Sequence, residues 1–122
     1  MSCNNAINID LGPTKINLNI YRGNTWSQTY SVFNDTTPVD LSGSTISIQV
    51  KSSADSAEPL LSLSTTDSTI TITGDNDNQI TLNKLVSIPA GKYVYDMRVS
   101  YPSNVVKTYT YGNFSVEQNV TN

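Results

Sequence analysis

The residues of this chain that could do chemistry are its ten carboxylates, because the sequence contains no histidine and one cysteine. Without histidine, Ser-His-Asp and Cys-His nucleophile arrangements and all His-ligated metal sites are excluded. Cys3 by itself can form neither an internal disulfide nor a thiolate metal site. Two carboxylates could serve as a glycosidase acid pair, but such a pair needs a cleft and one acid with a raised pKa.

Most of the carboxylates fall in turn segments of the sequence, where side chains face water: Asp35, Asp40, Asp55, Glu58, Asp67, Asp75 and Asp77. Asp96 lies inside a predicted strand, and Arg98 and Lys107 are its expected charge partners across the sheet. This distribution is not that of a buried acid pair. The sequence therefore predicts a protein that is not an enzyme and has no cofactor.

The acidic loop 74–79, Gly-Asp-Asn-Asp-Asn-Gln, is the best metal candidate. Asp75 and Asp77, with two neighbouring amides, could supply part of the oxygen shell that calcium requires. The EF-hand pattern is not met, since Val86 stands where the bidentate glutamate would be. Asp, Asn and Gly also tolerate turn geometry. We therefore predict a hairpin tip, with calcium binding by Asp75 and Asp77 as the alternative.

Period-two alternation of apolar and polar residues dominates the chain and predicts strands. In the longest example, one face of the predicted strand carries Tyr93, Tyr95, Met97, Val99 and Tyr101. About eight such strands, separated by turn residues, predict an all-β fold consisting of a single Ig-like antiparallel β-sandwich, with a jelly roll as the rival. Gly112 is the predicted bulge in the last strand.

Two local patterns refine this prediction. Residues 88–95, Ile-Pro-Ala-Gly-Lys-Tyr-Val-Tyr, are typical of the start of strand F in an Ig fold, where a tyrosine hydroxyl bonds to upstream backbone. Tyr93 is expected to be that corner residue, and Tyr95 to occupy the position of the second Ig cysteine. In the second pattern, Asp40 is expected to bond nearby N–H groups, Leu41 to plug the core and Gly43 to take a positive φ.

A length of 122 residues leaves room for one domain. We divide it into an N-terminal arm or first strand at 1–13, the β-sandwich domain at 14–118 and a C-terminal tail at 119–122. In the first segment Ile7, Ile9 and Leu11 alternate with polar residues. They are predicted either to pair with the edge strand of a neighbouring molecule, as a protein interface, or to form the first strand of the domain itself.

Charge and hydropathy narrow the class of partner. The net charge of -3 argues against nucleic acid, whose binding needs a basic face. No run of even ten apolar residues is present, and the first thirty residues contain no apolar signal segment, so we expect neither membrane insertion nor secretion.

Tyrosines dominate the last two predicted strands: Tyr93, Tyr95, Tyr101, Tyr109 and Tyr111. Exposed rings of this kind could stack against sugars and so serve a carbohydrate-binding module. The alternative is that the same rings fill the core or pack across the strands. Because Tyr93 and Tyr95 share a face with Met97 and Val99, core packing is the favoured interpretation.

Four segments, taken in order, resemble a known family: 20–26, 38–46, 90–98 and 111–116. They are Ile-Tyr-Arg-Gly-Asn-Thr-Trp, Pro-Val-Asp-Leu-Ser-Gly-Ser-Thr-Ile, Ala-Gly-Lys-Tyr-Val-Tyr-Asp-Met-Arg and Tyr-Gly-Asn-Phe-Ser-Val. The chain is similar, over roughly residues 15 to 121, to small tailed-bacteriophage virion proteins, including the N-terminal domain of upper baseplate proteins. It departs at Asn24, where the pattern often has Asp, and at Ser42 and Ser44, which replace Thr and Ala.

The resemblance implies a non-enzymatic virion structural protein that is synthesised in the host cytoplasm and ends up in the virion. Its expected place is the tail, baseplate or fibre-attachment apparatus, and its expected partners are other virion proteins and further copies of itself. A capsid decoration or head-fibre protein is the alternative within this class. The alternative from another class is a carbohydrate-binding module that contacts the host surface.

Overall fold

Alternate side chains of each strand point into a core between two β-sheets, as the sequence pattern predicts. The computed structural model describes residues 7–10, 13–53 and 55–118, and within these ranges the chain forms eleven strands and no helix. The all-β sandwich is therefore confirmed. Residues 1–6 and the tail 119–122 lie outside the described part.

The first sheet contains β1 (Ile7–Asp10), β4 (Thr25–Asn34), β5 (Thr37–Pro38), β8 (Ile70–Thr73) and β9 (Gln79–Leu85). The second sheet contains β2 (Thr14–Lys15), β3 (Leu18–Tyr21), β6 (Thr45–Lys51), β7 (Leu61–Ser64), β10 (Gly91–Ser100) and β11 (Val106–Glu117). The strand order is β1-β4-β9-β8 in the first sheet, with β5 paired to the end of β4. In the second sheet it is β2-β11-β10-β6-β7, with β3 also paired to β11.

This order is that of the Ig fold, in which strands A, B, E and D form one sheet and C, F and G the other. Across the first sheet, β1, β4, β9 and β8 take the places of A, B, E and D. In the second sheet, β6, β10 and β11 take those of C, F and G. The Ig-like prediction is confirmed, and the jelly-roll alternative is not supported.

Two details of the predicted sheets were wrong. The sheets are mixed rather than purely antiparallel, because β1 runs parallel to β4 while β2 and β3 run parallel to β11. The described strands number eleven rather than about eight. The additional strands include the two-residue segments β2 and β5, and pieces this short contain no alternation from which a strand can be predicted.

The predicted bulge at Gly112 was also wrong. Met97 pairs with Thr110 and Arg98 with Thr108, so the extra residue in β11 is Tyr109. Gly112 stays in register opposite Tyr95.

The core contains the apolar faces of both sheets, and its largest fully buried side chains include Tyr30, Tyr109, Phe114 and Leu41. At one end, Trp26 of β4 packs against Phe114 with ring centroids 4.9 Å apart and against Tyr95 of β10 at 6.2 Å. An Ig domain places its disulfide between strands B and F. The Trp26–Tyr95 contact joins the same two strands, so Tyr95 takes the expected cysteine position.

The predicted tyrosine corner is present. The hydroxyl of Tyr93 donates a hydrogen bond to the carbonyl oxygen of Pro89 at 2.6 Å. This bond ties the start of β10 to the loop that leads into it.

The predicted turn after β5 is present as well. The Asp40 carboxylate accepts hydrogen bonds from the backbone N–H of Ser42 at 2.9 Å and from its hydroxyl at 2.7 Å. The bonds from Ser42, the side chain first, lower the pKa of Asp40. Gly43 has a φ of 79°, and Leu41 is fully buried. The turn therefore closes one end of the core.

Candidate functional site

A groove runs across the outer face of the second sheet, on the side away from the core. Its volume is about 470 Å³, and its polar lining consists of Lys15, Gln49, Lys51, Asp96, Arg98, Tyr111 and Asn113. We call this feature the outer groove. Its residues come from β2, β6, β10 and β11, so no single segment of the sequence builds it.

Strand register sets the layout of the outer groove. Tyr111 of β11 lies between Lys15 of β2 and Asp96 of β10, and Asp96 lies next to Gln49 of β6. In the neighbouring row, Val94 separates Asn113 from Lys51. Residues directly opposite on neighbouring strands are about 5 Å apart, so each row brings side chains from three or four strands within reach of one ligand.

One ion pair lies within the outer groove. The Nε of Arg98 is 3.3 Å from an Asp96 carboxylate oxygen, and the two side chains are 61% and 33% exposed. Water screens such a pair, so its contribution to stability is small. Both side chains line the groove.

The outer face of the second sheet is cationic although the chain is acidic. The strand alternation places four cations on it, Lys15, Lys51, Lys92 and Arg98, against the two carboxylates Asp96 and Glu117. The face thus has a net charge of +2, and the rest of the chain has -5, which together give the overall -3. The net charge therefore conceals a basic surface.

The tyrosines of the last two strands divide between core and surface. Tyr95 and Tyr109 are buried, and the hydroxyls of Tyr109 and Tyr101 share a hydrogen bond. Tyr93 and Tyr101 are half-buried against the core. Tyr111 is 41% exposed and lies in the outer groove. The favoured prediction of core packing is therefore confirmed for Tyr95 and Tyr109, and a platform of five rings is not formed.

The segment between β2 and β3 positions the edge of the groove that carries Lys15. The Ile16 N–H donates to the Tyr111 carbonyl at 2.9 Å, and the Asn113 N–H donates to the Asn17 side-chain oxygen at 3.0 Å. A side chain at Gly112 would place its Cβ 2.5 Å from the Ile16 carbonyl oxygen. Gly112 thus allows the two backbones to approach.

The metal candidates Asp75 and Asp77 lie in the hairpin between β8 and β9, as predicted for a turn. The Asp77 carbonyl accepts from the Leu41 N–H at 2.9 Å, and Asn78 is 7% exposed, with its side chain donating to the Val32 carbonyl at 3.3 Å. These bonds anchor the hairpin to the body. Among the described residues, no group of three or more His, Cys, Asp or Glu side chains comes together, and calcium binding stays a prediction.

Of the three interface candidates in the first segment, the structure describes Ile7 and Ile9. Ile7 and Ile9 form part of β1 and pair in parallel with Tyr30 and Val32. Ile9 is 4% exposed and belongs to the core, while Ile7 packs partly against it. The structure thus shows β1 as the first strand of the domain. Leu11 lies outside the described residues, and pairing of this segment with a neighbouring molecule stays a prediction.

Sequence reasoning missed Lys15, Gln49, Lys51 and Asn113 as a group. The local signal was present, since each is a polar residue at an outward position of a strand. Their convergence depends on which strands are neighbours, and that order is a property of the tertiary fold.

None of the described residues form a helix of the length and apolarity needed to cross a membrane.

Comparison with known proteins finds similarity in structure only. No protein-family model and no curated protein sequence matches the chain. CopC from Methylosinus trichosporium OB3b is 16% identical with a TM-score of 0.41, covering 63% of this chain and 66% of CopC. Extracellular domains 3-5 of Drosophila OTK are 12% identical with a TM-score of 0.35, covering 87% of this chain and 33% of that chain. The chain therefore spans about two thirds of the first protein and a third of the second.

Proposed function

We propose that this protein is a non-enzymatic structural component of a bacteriophage virion that acts through protein–protein contacts. Its place is the tail, baseplate or fibre-attachment apparatus, as the resemblance of residues 15 to 121 implies. Its partners are other virion proteins and further copies of itself.

The observation that carries the protein–protein part is the composition of the outer groove. An exposed Tyr111 ring lies between Lys15 and the Arg98–Asp96 pair. Tyrosine and arginine are among the residue types that contribute most to binding energy in protein interfaces. A five-strand-wide sheet face with these side chains in its groove is suited to a broad contact.

The acid of the groove supports a non-enzymatic function. A general acid is typically buried and distant from opposite charges. Asp96 is instead 33% exposed and within 3.3 Å of a guanidinium nitrogen. An exposed carboxylate held in an ion pair suits recognition of a partner rather than proton transfer.

Particle fractionation tests the proposal. An antibody against the purified chain is used on density-gradient fractions of the phage whose genome encodes it, and we expect the chain to band with the particles. Gold labelling of the same particles then distinguishes tail from head, which separates the tail, baseplate and fibre-attachment location from capsid decoration. Particles that band and infect without the chain would overturn the proposal.

A carbohydrate-binding module is the second candidate, favoured by the exposed Tyr111 ring in a groove that Gln49 and Asn113 also line. Ring faces pack against sugar C–H groups, and amides bond to sugar hydroxyls. The test is calorimetric titration with host surface glycans, comparing Tyr111→Ala with Tyr21→Ala. Tyr21 is a matched control because it is 53% exposed and does not line the groove. Saturable heat that only Tyr111→Ala abolishes would support this candidate, and heat without saturation would reject it.

A further inference from the structure

We infer that the outer groove binds the acidic end of a second copy of this chain. The inference rests on the proposed function, because it names the partner of the surface that the proposal assigns to assembly.

The acidic end is formed by the loops that leave one end of the first sheet. Asp35 follows β4, while Asp75 and Asp77 lie between β8 and β9, and the register of β4, β9 and β8 brings these strand ends together. Asp40 is adjacent to Leu41, whose N–H donates to the Asp77 carbonyl at 2.9 Å. The four carboxylates are all exposed.

The acidic end carries more carboxylates than cations. The hydrogen bonds from Ser42 that lower the pKa of Asp40 keep that carboxylate ionised. Lys107 follows the hairpin of β10 and β11, whose Pro102 lies 3.2 Å from where a Cβ at Gly43 would be, at this end of the sandwich. Four carboxylates against one ammonium leave the end with a strong negative charge.

The outer groove is complementary to this end. Lys15, Lys51 and Arg98 border it, and Tyr111 occupies its middle. The groove holds most of the cations of the outer face. The acidic end holds many of the carboxylates that lie elsewhere on the chain. A second copy therefore presents the chemistry that the groove requires.

The two surfaces lie on different parts of the molecule, so the contact is heterologous: each copy offers its acidic end to one neighbour and its groove to another. Such contacts produce rings or open chains rather than closed two-fold dimers. Exposed charge pairs are individually weak and are screened by salt. The association is therefore expected at high protein concentration and low ionic strength, and repetition along a ring strengthens it.

Sedimentation velocity of the full chain and two charge-reversal variants tests the inference. The groove variant is Lys15→Glu with Lys51→Glu, and the end variant is Asp75→Lys with Asp77→Lys. Wild type is expected to form oligomers larger than dimers at about 50 mM salt and to dissociate at about 500 mM. Each variant alone is expected to lose its oligomers. Their one-to-one mixture is expected to form complexes larger than monomers in low salt, and to lose them in high salt.

Off-site variants control for net charge. Arg22→Glu with Lys84→Glu makes the same charge change as the groove variant, and Asp55→Lys with Glu58→Lys the same as the end variant. Neither pair lines the groove or lies at the acidic end, so both controls are expected to associate like wild type. Circular dichroism of every variant checks that it keeps its strand content.

The inference is overturned if wild type stays monomeric in low salt, or if the controls lose association as the test variants do. It is also overturned if the monomer binds an acidic polysaccharide in the groove instead. Particle fractionation distinguishes failure of this inference from failure of the proposed function. A chain that bands with virions but never self-associates refutes only the inference, whereas a chain absent from virions refutes the proposed function.

Discussion

The hydroxyl of Tyr95 donates a hydrogen bond to the carbonyl oxygen of Ile16 at 2.6 Å, across 79 residues of sequence. The bond joins β10 to the break between β2 and β3, which is the segment that carries Lys15 to the outer groove. Gly112 stands opposite Tyr95 and leaves the space through which the Ile16 carbonyl approaches. Core, sheet edge and groove are thus connected at one point.

Replacing Tyr95 with phenylalanine removes this bond and leaves the Ile16 carbonyl without that donor. We expect Tyr95→Phe to lower the free energy of unfolding by about 1 kcal/mol. Urea denaturation followed by tryptophan fluorescence measures it, since Trp26 packs on the same ring. Tyr111→Phe is the control, because its ring is 41% exposed and the change is expected to stay within about 0.5 kcal/mol. Equal effects of the two changes would contradict the structural assignment.

Replacing Gly112 with alanine is expected to be more damaging. The new Cβ would lie 2.5 Å from the Ile16 carbonyl oxygen, at a φ of 155°. We expect a loss of about 3 kcal/mol from overpacking and backbone strain.

Gly23→Ala is the matched control for Gly112→Ala. It has a φ of 93° and no atom within 4 Å of the new Cβ, so only backbone strain of about 1 kcal/mol is expected. Chemical denaturation of both variants measures the difference. A smaller loss at Gly112 than at Gly23 would show that the close approach is absent.

Tyr30→Phe is expected to raise stability. The Tyr30 hydroxyl is buried and has no hydrogen-bond partner among the described residues. Removing an unpaired buried hydroxyl recovers about 1 kcal/mol. Tyr109→Phe should have the opposite sign, because the Tyr109 hydroxyl shares a hydrogen bond with Tyr101. Thermal unfolding of the two variants beside wild type decides this, and a loss of stability in Tyr30→Phe would reveal an additional partner.

The buried tyrosines predict a loss of stability in alkali. Burial raises the pKa of Tyr95 to about 12, and it also raises the pKa values of Tyr30 and Tyr109. Below about pH 10 these hydroxyls are protonated whether the chain is folded or not. Above it the unfolded chain releases protons that the folded chain retains. Stability should then fall by at most about 1.4 kcal/mol per pH unit for each tyrosine.

Urea titrations between about pH 8 and about pH 11 measure this slope. Tyr109→Phe, which removes one of the buried hydroxyls, should flatten it relative to wild type. Tyr111→Phe serves as the control for loss of a hydroxyl at the surface. A wild-type stability that does not change up to about pH 11 would contradict the prediction.

The features predicted correctly from the sequence are those whose hydrogen bonds are local. The Tyr93–Pro89 bond spans four residues, and the Asp40–Ser42 bond spans two. Their residue types and spacing are sufficient because the backbone between donor and acceptor has few conformations. The inward or outward direction of the side chains on each strand was predicted for the same reason. The alternation of Tyr95 with its neighbours can be seen without knowing the partner strand.

The features missed from the sequence depend on long-range pairing. The bulge falls at Tyr109 because the register against β10 shifts there, whereas glycine at position 112 is required by the Ile16 carbonyl. The parallel direction of β1 and the convergence of Lys15 with Lys51 arise in the same way. No local pattern contains the identity of the neighbouring strand, so neither the sheet edges nor the outer groove followed from the sequence.

The contact between Trp26 and Tyr95 has a consequence for the redox environment in which the domain can fold. It links the two sheets with aromatic rings at the place where an Ig domain has a cystine, and the chain's single cysteine provides no pair. Ring packing is indifferent to redox potential, whereas a cystine is not. The sandwich is therefore expected to have the same stability with or without a thiol reductant, and its folding needs no oxidase or disulfide isomerase.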